Sequence, residues 1–295
     1  MAKVLVNVHG AGKAPSNFYA KGLKALTQIL GAEPAQFPCW YADLCHPGGV
    51  RSLKPLPPEA EQARAALIEE MLQRRNDLER ERSARTSPPP AEAGGAVTRG
   101  RASKTTRKAT TGRATMTGGR ATKGGAALTT GQARGLMDLP VAATDAASDV
   151  IRYLFDGKMQ KSIRNRLAQA LDQATAGDAE IILVSHSLGT VVAFDVLREL
   201  AGRYPIKRFV TMGSPLRKLA TTGIHPVDLG AITTQTIPFW RNLYDNTDLV
   251  ADAIGPAFPA YPIEDVFIQV ADLPIPSHNY WENLQVQKMI ADWLR

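Results

Sequence analysis

The chain has 295 residues, 44% of them hydrophobic and 6% aromatic, and a formal net charge of +7. This is an ordinary soluble composition, long enough to bury a full core as one α/β domain. Two cysteines, Cys39 and Cys45, exclude a disulfide framework, no apolar run reaches the length of a membrane span, and Val4 to Val8 is too short for the core of a signal peptide.

Lys3 to Val8 is β-branched and reads as a buried strand ending in His9-Gly10-Ala11-Gly12. A helix from about Phe18 to Leu30 follows, closed by Gly31, and Pro34 to Trp40 forms a second strand. The proline-rich stretch Pro47 to Pro58 cannot be regular structure. From Glu59 to about Arg82 the chain is dense in Glu, Arg, Ala and Leu, with Ala63, Leu67, Met71 and Leu78 near one face of a charged helix. Residues 46 to 84 therefore read as an insertion in the domain.

Between Arg85 and Arg134 the large apolar residues almost vanish, and Gly-Arg-Ala-Ser/Thr recurs at 100–103, 112–115 and 119–122. Such a segment cannot offset its ordering entropy, so residues 85 to 135 are expected to be a low-complexity, disordered, basic insertion. Residues 91 to 135 hold nine Lys/Arg and a single acidic residue, Glu92, which leaves the remainder of the chain nearly neutral. The high pI thus describes the insertion and not the globular body.

Asp149 to about Gly177 is helical, with a break at Gly157, and leads into a strand at Glu180 to Val184. A helix at Thr190 to Leu200 follows, then strands at Arg208 to Met212, Thr236 to Tyr244 and Asp265 to Val270. The last helix, Glu282 to Leu294, places Val286, Met289, Ile290 and Trp293 on one face. Strands separated by helices predict an α/β fold, with a mainly parallel sheet of about six strands covered on both faces in a single domain spanning 1–295.

The most informative stretch is Ile181 to Leu197, where an apolar strand ends in Ser185-His186-Ser187-Leu188-Gly189 and passes at once into a helix. A serine at the apex of a tight strand-to-helix turn is exposed to a substrate, and a base beside it makes its hydroxyl a nucleophile. In the G-x-S-x-G pattern Ser185 replaces the first glycine, small for small. In isolation, S-x-x-G also fits an ordinary strand-to-helix connection with Ser187 as the helix N-cap, the less favoured reading. Of the five histidines, His278 lies in a loop between the last strand and the last helix and can overhang the strand ends. His225 is a second choice of base, and His186, inside the elbow, reads as a packing or hydrogen-bonding residue. The carboxylate that holds the base falls in Phe239 to Asp252, with Asp248 chosen and Asp245 in reserve. The oxyanion hole is assigned to the amides of Leu188 and Ala11. Ala253 to Ile263 and Leu216 to Ile232 are assigned to pocket wall and lid.

Serine, acid and histidine in that order, each after a predicted strand, resemble the α/β-hydrolase superfamily. The closest likeness is to its serine esterase and lipase branch, including bacterial lipase-like hydrolases related to GPI inositol-deacylase-like lipases. The resemblance rests on Val6 to Gly12, Leu183 to Thr190, Met212-Gly213-Ser214-Pro215-Leu216, the strand ending at Asp248, and His278-Asn279-Tyr280-Trp281. It covers residues 1–45 and 140–295. It implies an α/β-hydrolase fold, a Ser187, Asp248, His278 triad, and hydrolysis of carboxylic esters of small molecules or lipids through an acyl-enzyme, with no metal and no cofactor. The sheet is shorter than the family's usual eight strands, and residues 46 to 135 match nothing in it.

A thioesterase, amidase or acyltransferase would use the same parts, so these alternatives stay open. A reading from another class makes residues 91–135 a nonspecific contact for nucleic acid or an anionic membrane. That segment lacks the interleaved aromatics that stack on bases. A cytoplasmic location is expected, and the oligomeric state is not specified by the sequence.

Overall fold

Six segments rich in β-branched and large apolar residues pair into one all-parallel sheet in the order β2-β1-β3-β4-β5-β6. The strands are β1 (Lys3–Val8), β2 (Gln36–Cys39), β3 (Glu180–His186), β4 (Ile206–Met212), β5 (Trp240–Tyr244) and β6 (Glu264–Phe267). The computed structural model describes residues 1–10, 16–46, 55–86, 141–271 and 278–295. The helix after the proline-rich stretch runs on to Thr86, and the expectations for residues 87 to 135 and for most of the proline-rich stretch lie outside the described residues.

Parallel strands need crossovers, and helices supply them. They are α1 (Ala20–Leu30), α2 (Ala42–Cys45), α3 (Pro58–Thr86), α4 (Val141–Phe155), α5 (Gly157–Thr175), α6 (Leu188–Leu200), α7 (Leu216–Thr221) and α8 (Leu284–Leu294). Alternate strand residues divide the core between two faces. Leu5, Ile182, Val184, Val210, Met212 and Leu243 pack with Leu26 of α1 and with Val286 and Ile290 of α8. Val4, Val6, Leu183 and Phe209 face the other way, onto α3 to α7. Residues Leu188 to Leu197 of α6 are all buried, so this stretch of the helix is enclosed on every side.

Boundaries depart from the sequence reading where side chains compete for the backbone. The break expected at Gly157 is present, and Asp156 makes it by accepting from the amides of Lys158 and Met159 as the N-cap of the second helix. The helix ahead of that break begins at Val141, earlier than expected. Thr236 does not open β5: its hydroxyl donates to Ala231 O, its amide donates to Thr233 Oγ1, and Pro238 has no amide to give to a ladder. The final helix starts at Leu284, after a 3₁₀ turn at Tyr280–Glu282, with Asn283 capping the amides of Gln285 and Val286. Cys39 and Cys45 are buried free thiols, and burial pushes both up to about 12.

A polar row crosses the otherwise apolar sheet in register, through Ser185, Thr211, Asn242 and Asp265. Thr211 Oγ1 donates to Asn242 Oδ1 at 2.9 Å. Asn242 Nδ2 donates to Asp265 Oδ1 at 2.7 Å and to Asp252 O at 2.9 Å. Asp265 in turn accepts from the amides of Ile254 and Gly255 at 2.8 Å each. The row thereby ties the strands to the loop that follows β5. Asn242→Leu would take a partner from three groups at once, the buried Thr211 hydroxyl and the half-buried Asp252 carbonyl and Asp265 carboxylate. It is expected to lower the unfolding free energy by about 3 kcal/mol in urea titrations, and a variant as stable as the parent would refute the role given to the row.

Candidate active site

Every strand ends at the same rim, so the residues that follow β1, β3, β4 and β5 meet there. Ser187 is the single residue between β3 and α6, and the abrupt change of direction forces it to φ 54° and ψ −128°. A non-glycine residue so placed costs roughly 1–3 kcal/mol and must be held by its surroundings. Its amide donates to Met212 O at 2.9 Å. Its carbonyl accepts from the amide of Thr190 at 2.9 Å and from Thr190 Oγ1 at 2.7 Å. Since that hydroxyl proton is committed, the Ser214 hydroxyl donates to Thr190 Oγ1, at 2.8 Å.

Space is as tight as the backbone. A methyl group added to Gly10 would lie 2.8 Å from Ser187 Cβ and 2.9 Å from His186 Nδ1, and one added to Gly189 would collide with the His9 carbonyl. Gly213 has φ +60°, and a methyl there would sit 2.9 Å from His278 Cε1. Ser187 and His278 thus flank the Met212–Gly213 step, one bonded to its carbonyl and the other packed on its glycine.

His278 Nδ1 lies 2.7 Å from Asp248 Oδ2. A carboxylate only accepts, so Nδ1 carries a proton, and in the neutral ring Nε2 presents its lone pair. Nε2 is buried and makes no hydrogen bond. The Ser187 hydroxyl therefore makes no hydrogen bond to it. Asp248 is fully buried. Burial pushes its carboxyl up, but His278, the Val250 amide at 2.9 Å and the Tyr280 hydroxyl at 3.1 Å outweigh that and hold it below the usual range. Asp245, the reserve choice, is otherwise occupied. Its Oδ1 accepts from the amide and hydroxyl of Thr247, and its Oδ2 from the amides of Val270 and Ala271.

No family model, no curated protein and no solved structure matches this chain.

Leu188 supplies the first amide of α6, a donor with no acceptor inside its own helix. Ala11 lies outside the described residues, and Gly10 beside it is in place against Ser187. His225 is taken elsewhere: its Nε2 contacts Asp195 at 2.9 Å, about 12 Å along α6 from Ser187. The segment that follows is strapped to α6 as well, since Ala231 N donates to Arg198 O and Arg198 pairs with Asp228. In the stretch Ala253 to Ile263, Phe258 and Tyr261 pack on Trp240 at 5.7 and 5.6 Å, inside the core. The element that reaches the acid-bearing turn is α3, where Arg74 Nη2 donates to Asn246 O at 2.5 Å.

The sequence reading left Tyr280 without a role. Its hydroxyl accepts from the Asp245 amide at 2.7 Å and donates to Asp248, so it joins the two aspartates. The available signal was a tyrosine two residues beyond the loop histidine. Thr190 and Ser214, hydroxyl residues in an otherwise apolar stretch, carried a similar one.

His9 is fully buried between Tyr41 at 4.0 Å and Phe18 at 5.4 Å, with neither ring nitrogen hydrogen-bonded. Burial pushes it from 6.5 down to about 3, so it stays neutral in the fold while the unfolded chain takes up a proton below about pH 6.5. Between those two values the unfolded state binds more protons, and stability falls as pH drops. His9→Leu removes buried nitrogens that nothing satisfies. It is expected to fold and to flatten the pH dependence of the urea midpoint below pH 6, removing up to about 1.4 kcal/mol per pH unit. An unchanged slope would contradict the neutral buried imidazole.

Proposed function

We propose that this protein is a serine hydrolase of the α/β-hydrolase type that cleaves carboxylic esters through an acyl-enzyme. The observation that carries the proposal is the Asp248–His278 pair beside a strained Ser187, with the lone pair of Nε2 left free.

In the first half-reaction Nε2 takes the Ser187 proton as Oγ attacks the ester carbonyl, and negative charge collects on the carbonyl oxygen. The Leu188 amide at the positive end of α6 and a second amide of the loop after β1, assigned to Ala11, face that charge. The imidazolium stands against the buried Asp248 carboxylate. It returns its proton to the departing alkoxide as the C–O bond breaks, leaving an alcohol and acyl-Ser187. Water, deprotonated by Nε2, then attacks the acyl carbon and releases the carboxylic acid, and the proton goes back to Ser187 Oγ. Neither half-reaction calls on a metal or an organic cofactor, and Asp248 stays ionised throughout.

A fluorophosphonate probe is expected to label the protein on Ser187, and Ser187→Ala is expected to abolish both labelling and hydrolysis of nitrophenyl esters. Labelling that persists in Ser187→Ala would reject the assignment. A chain-length series of nitrophenyl esters run beside acyl-thioesters separates ester from thioester preference. Tyr280→Phe, which removes one hydrogen bond to Asp248, is expected to lower kcat by about 10-fold with the fold retained, the equivalent of about 1.4 kcal/mol.

A further inference from the structure

His186 immediately precedes Ser187, yet its ring turns toward the loop that carries His278. Its Nε2 lies 2.8 Å from the main-chain carbonyl of His278, and the two rings lie tilted at 44° with centroids 4.7 Å apart. On its other side Nδ1 backs onto Gly10, where a single added methyl would come within 2.9 Å of it. One imidazole therefore spans the elbow, from the loop after β1 to the main chain of the histidine opposite.

We propose that His186 is a positioning residue of the hydrolytic site: it donates from Nε2 to the carbonyl of His278 and sets the distance at which that imidazole meets Ser187. The proposal rests on the hydrolase reading above. A carbonyl has no proton to offer, so the bond selects the Nε2–H tautomer and leaves the Nδ1 lone pair facing Gly10. Burial and the neighbouring His278 push His186 down to about 3. It therefore donates as a neutral ring and sets no positive charge against His278, which must itself become cationic during attack. A lysine or arginine could reach a carbonyl, but its charge would oppose that step. An apolar ring of the same size would pack on His278 and leave its carbonyl unbonded.

The test separates packing from hydrogen bonding. His186→Phe keeps a flat ring and loses the donor, while His186→Gln restores a neutral N–H. If the bond sets the geometry, His186→Phe lowers kcat and the rate of fluorophosphonate labelling by ~10²-fold with KM within ~2-fold of the parent, and His186→Gln recovers to within ~10-fold. Equal losses in both variants, or parental kcat in His186→Phe, would overturn the proposal. Nitrogen-15 spectra of the histidine rings in the parent protein give a readout that needs neither activity nor a substituted chain. They are expected to show His186 as a neutral Nε2–H ring from about pH 7 to about pH 5. An Nδ1–H tautomer, or titration inside that interval, refutes the bridge whatever the reaction is. A parent protein that the probe does not label refutes the hydrolase reading instead, and the spectra then decide whether the bridge exists.

Discussion

The left-handed backbone at Ser187 is the constraint around which the rim of the sheet is built. A strand buried on both faces must become a helix buried on all sides within one residue, and only a conformation that side chains disfavour makes that turn. Three glycines at positions 10, 189 and 213 let three neighbouring segments close in on the turn, and Met212 and Thr190 hold its amide and carbonyl. Relaxing the turn would cost each of those contacts, so the strain persists because the surroundings are fixed independently by the sheet. The same close approach sets Gly10 against Ser187 and Gly213 against His278.

On the acid side, order comes from a buried polar chain. Thr211, Asn242 and Asp265 stand on three adjacent strands, and the carboxylate at the end of the row holds the amides of Ile254 and Gly255. Asp245 gathers the amides of Thr247, Val270 and Ala271, and Tyr280 joins Asp245 to Asp248. Polar groups in a low-dielectric interior are costly when unpaired and rigid when paired. The Asp245 and Tyr280 bonds hold the turn whose Asp248 meets His278. The position of the imidazole is therefore inherited from the sheet through side chains, over and above the covalent chain.

The inserted helix α3 ties into the same region from outside. Its buried residues Ala60, Ala63, Leu67, Ile68, Met71 and Leu78 join the core on the α6 face. Its exposed side carries Arg75–Glu79 and Asp77–Arg80 pairs, which contribute solubility more than stability. Arg74 on α3 reaches Asn246, inside the turn between the two aspartates. An element absent from the resemblance in sequence thus borders the residues that carry the proposed chemistry, while the loop after α7 is strapped to α6 and the loop after β5 packs Phe258 and Tyr261 on Trp240.

Much of the architecture was legible in one dimension. Apolar β-branched runs such as Glu180 to Val184 report strands buried on both faces, and the helices between them require a parallel sheet. The elbow was legible because Ser185 to Gly189 has small residues where backbones must nearly touch, and His278 because its loop lies between the last strand and the last helix. The choice between Asp248 and Asp245 was not, since two aspartates three residues apart differ only in what they face. One meets an imidazole and the other a set of amides. His186, Tyr280 and the Asn242 row were equally hidden, because hydrogen bonds between residues 10 to 92 positions apart leave no periodic mark in the chain. Local pattern determined the elements and their order, for propensity and burial act along the chain. Which polar atoms meet at the rim was decided only by packing, because that pairing depends on distances of a few ångströms that exist only after the sheet has formed.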